Sequence, residues 1–144
     1  MTDLKTKLTE VFCDNFVAYY RAHSCHLNIT GRNFTSDHKL LQKIYEDAQE
    51  TIDRLGEFIR TLGEKAPETI ADILEGSELG EETAFDADSM LQIVLEAQEY
   101  MMEDYRELFD IATEATDQDI ANFAADRLGV HSKFAWMLKS TLED

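Results

Sequence analysis

The side chains best placed for chemistry lie between His26 and Glu57. His38, Gln42, Glu46, Gln49, Asp53 and Glu57 recur at steps of three and four, which puts them in one row along a helix. Asp53 and Glu57 are one turn apart, with Cβ atoms about 6 Å from each other, so the two carboxylates can share one hard cation. His26 stands at the end of the preceding helical stretch, on the continuation of its apolar stripe. Each signal also has a plainer reading. The chain has 30 acidic residues in 144, so carboxylates one turn apart recur by chance, and a solvated face accounts for any single pair. A histidine on an apolar stripe is ordinarily a hydrogen-bonded core residue, which applies to His26 and equally to His131. His23, one turn before His26, reads as exposed.

Helices must position these groups. One proline, six glycines and apolar spacings of three and four predict helix throughout. The first helix runs from about Asp3 to Asn28 and carries Leu4, Leu8, Val11, Phe12, Tyr19 and Ala22. A turn over residues 29–34 contains Gly31 and Asn33. The second helix starts near Ser36, carries Leu41, Ile44, Ala48, Ile52, Leu55, Ile59 and Leu62, and stops at Gly63 and Pro67. A short connector helix spans Glu68 to about Glu75. The third long helix follows Thr83, which with Asp86 forms a capping-box-like start. The fourth opens near Thr116 and Asp117. Four long amphipathic helices make an all-α four-helix bundle, one domain over residues 1–144. The long join between the second and third leaves their relative direction open.

The net charge of −17 argues against a nucleic-acid footprint, because phosphate neutralisation needs clustered Lys and Arg and only 13 are scattered here. Acidic excess suits either a merely soluble surface or a protein that handles cations. No run approaches the roughly 18 apolar residues of a membrane span. The stretch from Met1 to Lys5 has no apolar signal segment, so a cytoplasmic location is expected. Cys13 and Cys25 lie about 18 Å apart on one helix and are expected to be reduced, buried thiols.

In order along the chain, three segments resemble one family. His23-Ser24-Cys25-His26-Leu27-Asn28-Ile29-Thr30-Gly31-Arg32-Asn33-Phe34, with His38 following, resembles the first signature of the Dps family of miniature ferritins. That signature reads histidine, aromatic, Asn, small apolar residue, then Gly-x-x-Phe. Asp53-Arg54-Leu55-Gly56-Glu57-Phe58-Ile59-Arg60-Thr61-Leu62-Gly63 is similar to the second, Asp-x-x-x-Glu-Arg-apolar-x-x-Leu-Gly. His131-Ser132-Lys133-Phe134-Ala135-Trp136-Met137-Leu138 is similar to the closing His-Glu-Lys-x-x-Trp-Met-Leu.

The resemblance implies a ferritin-like bundle with a short extra helix between the second and third helices. It implies a hollow homo-dodecamer with metal sites at two-fold interfaces. His26 and His38 would come from one subunit, Asp53 and Glu57 from its partner. There iron(II) would be oxidised, with hydrogen peroxide as the preferred oxidant, and ferric mineral stored in the cavity. Imidazole plus carboxylate with open positions suits iron(II), and zinc is a competing metal. Asp119, and more weakly Asp126, would line three-fold iron pores, unless Asp119 merely serves the start of its helix. No Glu is followed three residues later by His, so the intra-bundle di-iron site of ordinary ferritins is not expected. Four positions depart from the family pattern. Leu27 replaces an aromatic residue that stacks near iron and intercepts radicals. Gln42 replaces a ligand Asp, and an amide is the poorer ligand. Phe58 replaces Arg, and Ser132 an acid. With no basic tail beyond Lys5 and Lys7, DNA binding is not expected. Two other functions stand beside iron oxidation and storage: a non-enzymatic protein that coats DNA, and a structural or zinc-holding cage with a degenerate site.

Overall fold

The computed structural model describes residues 3–144, so Met1 and Thr2 of the N-terminal stretch lie outside the described residues. Five helices follow in order: α1 (Leu4–Asn28), α2 (Phe34–Thr61), α3 (Ile70–Gly76), α4 (Ala87–Glu114) and α5 (Gln118–Leu142). Among the described residues there is no strand, and no helix is long and apolar enough to cross a membrane.

Side-chain caps set most of the starts, each carboxylate or hydroxyl oxygen accepting an otherwise orphaned N–H. Asp3 accepts from the Thr6 amide, Thr69 from Asp72, Asp86 from Ser89 and Asp117 from Ile120. Three expected boundaries move. The second helix begins at Phe34, two residues before Ser36, and its N-cap Asn33 makes no side-chain cap bond. The connector helix begins at Ile70 rather than Glu68, because Thr69 caps it. The third long helix is capped by Asp86, not Thr83. Asp86 is still extended (φ −104°, ψ 169°), so the helical turn that a Thr83 box requires does not exist.

The direction left open by the sequence is settled by two contacts. Lys7, at the start of α1, bonds Asp104 near the end of α4, and Arg21, late in α1, donates to the Ile93 carbonyl early in α4. α1 and α4 are therefore antiparallel. α1 and α2 form a hairpin, so α2 and α4 run parallel, with the segment over residues 62–86 as the crossover. Asp14 pins that crossover: its Oδ1 accepts from Ser77 Oγ at 2.8 Å, Glu78 N at 2.8 Å and Leu79 N at 3.0 Å. Gly76 makes this approach possible, since a Cβ there would meet Cys13 Sγ at 2.7 Å.

The core falls into two apolar clusters. One contains Leu8, Leu55, Met101, Tyr105, Leu108, Ile120 and Phe123; the other contains Ile29, Leu41, Ile44, Leu91, Val94 and Leu138. A polar layer crosses between them. Arg127 donates to both carboxylate oxygens of Asp47 (3.0 and 2.6 Å) and lies 2.8 Å from His131 Nε2. His131 Nδ1 lies 2.7 Å from Gln98 Oε1. An amide oxygen only accepts, so Nδ1 bears the hydrogen and Nε2 accepts from Arg127. Burial first, and then the Arg127 charge, hold His131 well below the usual histidine range. His131 is thus a neutral, satisfied core histidine. Cys13 and Cys25 are buried free thiols, and burial pushes each up to about 11.

Candidate metal centre

The α1–α2 hairpin brings two histidines face to face. His26 sits in the last turn of α1 and His38 in the second turn of α2. The intervening turn needs Gly31, whose φ of +121° lies where side-chain-bearing residues are strained. The rings stack with centroids 3.7 Å apart and planes 16° apart. Phe34 stacks on His38 at 4.9 Å, and Tyr45 meets His26 edge-on at 5.0 Å.

The hydrogen bonding of the pair is reciprocal. His26 Nδ1 lies 2.8 Å from the His38 carbonyl, and His38 Nδ1 lies 2.8 Å from the His26 carbonyl. A carbonyl only accepts, so each ring places its hydrogen on Nδ1. In the neutral rings both Nε2 atoms then keep their lone pairs. Metal-binding histidines are commonly oriented this way, with the other ring nitrogen donating to a backbone carbonyl. His26 is buried, as its stripe position predicted, but the partner that satisfies it leaves its ligand atom free.

Asp53 and Glu57 are exposed on α2, one turn apart. Asp53 is fifteen residues beyond His38, roughly 22 Å along the helix. One chain therefore brings together the two histidines, and separately the two carboxylates, but not all four. Among the described residues, the only three metal-ligating side chains that converge are Glu10, Asp14 and Asp104, elsewhere in the bundle. Gln42 is half-buried one turn after His38 and donates to Glu46 Oε1 at 2.7 Å. Leu27 is 62% exposed beside His26, so no ring covers the pair from that position. His23 is not exposed as expected. It is half-buried, stacked on Tyr45 (3.9 Å, 2°), with its Nδ1 2.8 Å from the Tyr19 hydroxyl. Burial is the main cause that lowers it from the usual histidine range.

Phe58 has a structural account. It packs edge-on against Phe123 at 5.1 Å, and the Arg54 guanidinium covers both rings at 5.6 and 5.0 Å. Asp119 and Asp126 are both exposed on α5. The capping bond is made by Asp117, so Asp119 does not have that duty and keeps only its favourable place in the first turn.

Residues 5–144 match the ferritin-like domain family. The chain is 28% identical over 137 residues to a DNA protection during starvation protein of Helicobacter pylori, covering 94% of this chain and 95% of that protein. It superposes on the crystal structure of Helicobacter cinaedi CAIP with a TM-score of 0.91 and 33% identity, covering 98% of this chain and 100% of the other. A Dps protein from Vibrio cholerae gives a TM-score of 0.92 at 26% identity, over 97% of this chain and 89% of that one. It is described as a member of a broad superfamily of ferritin-like diiron-carboxylate proteins.

Proposed function

The chain belongs to the Dps family of ferritin-like proteins, and from that premise we propose that it is the ferroxidase subunit of a hollow twelve-chain shell that oxidises iron(II) with hydrogen peroxide and stores the ferric product, protecting against oxidative damage. The observation that carries this reading is the reciprocal Nδ1–carbonyl pairing of His26 and His38, which leaves two imidazole Nε2 donors free and side by side. Asp53 and Glu57 of a second copy complete the donor set across a two-fold interface, because the length of α2 separates them from His38 within one chain. Iron(II) is the substrate. Two iron(II) ions give one electron each to peroxide, whose O–O bond breaks, and two protons complete two waters. The carboxylates supply the negative charge that holds iron and offsets the charge gained on oxidation.

Zinc binds the same imidazole and carboxylate donors without redox chemistry, and competes as an inhibitor. Asp119, with Asp126 further along α5, lines the acidic route by which iron enters. Two free, buried cysteines support a reducing, cytoplasmic compartment. A net charge of −17 per chain gives the shell no surface for duplex DNA, so no gel retardation is expected at physiological salt. The test of the function is stopped addition of iron(II) to metal-free protein with peroxide or oxygen, followed optically, alongside size measurement. Saturable oxidation, faster with peroxide, by a particle of about twelve chains supports the reading. Full activity in a stable monomer overturns it.

A further inference from the structure

The face of α1 near its start carries a second set of donors that the histidine site does not use. Glu10, Asp14 and Asp104 each offer a carboxylate oxygen, all within 4.8 Å of one another. Asp14 and Asp104 are 0% and 3% exposed. Asp14 is fixed through Oδ1 by the three crossover donors, which leaves its Oδ2 free. Asp104 spends its Oδ1 on Lys7 at 3.2 Å. The remaining Oδ2 atoms of both aspartates are fully buried and have no hydrogen-bond partner. A buried carboxylate oxygen without a partner is destabilising, which favours an occupant there.

Lys7 does not supply it. Its ammonium lies 2.9 Å from Glu107, 3.2 Å from Asp104 Oδ1 and 3.5 Å from Glu10, one positive charge against three carboxylates. Nor does the site belong to the histidine pair, since Asp14 and His26 are twelve residues apart on α1, about 18 Å. A way in exists. Glu10 is half-buried and shares an open groove of about 560 Å³ with Asp3, Glu64, Glu75, Glu78 and two lysines.

We propose that Glu10, Asp14 and Asp104 form a second cation site inside each bundle, all-oxygen and distinct from the iron-oxidising histidines, which takes one hard divalent ion. Three carboxylates without imidazole or thiolate favour manganese(II), magnesium or calcium over softer metals. Burial, and then Asp14, push Asp104 well above the usual carboxylate range, against the opposing pull of Lys7. Burial, and then the charges of Asp14, Asp104 and Glu10, push the Tyr100 phenol up to about 12.

Manganese(II) titration, read as loss of the free-ion electron paramagnetic resonance signal, tests this in the His26→Ala/His38→Ala double variant, where the histidine donors are gone. One manganese(II) per chain is the expected result. Adding Asp104→Asn should weaken that binding by roughly tenfold or more. Glu10→Gln, at a half-buried position that pairs with Lys7 at 3.5 Å, should weaken it as well and decides the matter if Asp104→Asn fails to assemble. Absence of a stoichiometric site in the double variant, or binding that neither added substitution weakens, overturns the proposal. Because the histidines are removed at the outset, either result leaves the iron-oxidation reading to its own test.

Discussion

His38→Ala separates loss of a ligand from damage to the fold. The ring of His26 is aimed by the carbonyl of residue 38, at 2.8 Å, and alanine keeps that carbonyl. His26 therefore stays in place. What disappears is the His38 Nε2 donor, the stacking on His26 (3.7 Å) and Phe34 (4.9 Å), and one hydrogen bond to the His26 carbonyl. Ring contacts of this kind are worth about 0.5–1.5 kcal/mol and a hydrogen bond roughly 1 kcal/mol. His38 is only half-buried, so the total is about 2 kcal/mol, a fall in Tm of roughly 4–8 °C for a chain of this length. Iron affinity should suffer more. Even outer partners of metal ligands cost roughly 10–100-fold, and a direct ligand at least that, about 1.4–2.8 kcal/mol of binding. The measurement is the initial rate of iron(II) oxidation by peroxide at subsaturating iron, on protein whose assembly is checked by size. A slow rate that partly recovers at high iron is expected. An assembled variant that oxidises dilute iron as fast as the parent would show that the paired imidazoles are not the site.

Glu57→Gln keeps size and removes charge, so it should lower iron affinity by about tenfold or more while the shell still forms, since a neutral amide costs less to bury at an interface; unchanged rates at low iron would remove Glu57 from the donor set. Asp119→Asn should slow iron uptake into the mineral with a Tm within about 1–2 °C of the parent, because Asp117 makes the cap; a large loss of stability with normal uptake would return Asp119 to a structural role. Asp104→Asn should change how stability depends on pH in chelator-treated protein. Asp104 is raised from 3.8 to about 9 by burial and by Asp14, with Lys7 opposing and Glu10, Glu107, Tyr100 and Glu78 nearby. An acid raised on folding contributes fully below its ordinary value and loses that contribution as pH climbs toward the raised one. The Tm of Asp104→Asn relative to the parent should therefore increase between pH 5 and pH 9; a constant offset would refute the buried proton.

Much of the fold was legible because it rests on local signals. Apolar spacing gave four long helices, and Gly63 and Pro67 gave the stop of the second. The N-cap at Asp117 was readable, but Asp86 and Thr83 are equally good capping types, and only the extended backbone at Asp86 decides between them. The parallel run of α2 and α4 was not readable, because the crossover is long enough for either direction and contacts such as Lys7–Asp104, 97 residues apart, choose it. His26 and His38 were picked out by type and order, yet the feature that leaves their Nε2 atoms free is a backbone carbonyl on each side, to which every residue type contributes alike. The bland reading of His131 was right, and its partners Arg127 and Gln98 lie on two different helices. The acidic cluster was missed altogether. A signal existed: Lys7 and Asp14 fall on the arc of α1 that also carries Leu8, Val11 and Phe12, and charged residues on a buried arc call for partners.

The division of the histidines from Asp53 and Glu57 ties the proposed chemistry to assembly. In the proposed assembly each half is ordered within its own chain: the imidazoles are held by reciprocal bonds, and the carboxylates stand one turn apart on an uninterrupted helix. Association then needs little reordering, which keeps its entropic cost low. Charge works the other way. Two carboxylates moved from water into an interface repel each other unless a cation or proton joins them. In the proposed site the bound iron joins them, and it should therefore also strengthen the interface. Phe58 and Arg54 fit this division of labour. Where the family carries an arginine beside its site glutamate, this chain turns a phenylalanine into the core, while Arg54 lies over Phe58 and Phe123. The charge of Glu57 is left without a neighbouring guanidinium at position 58, and the dependence of the interface on bound metal should be correspondingly greater.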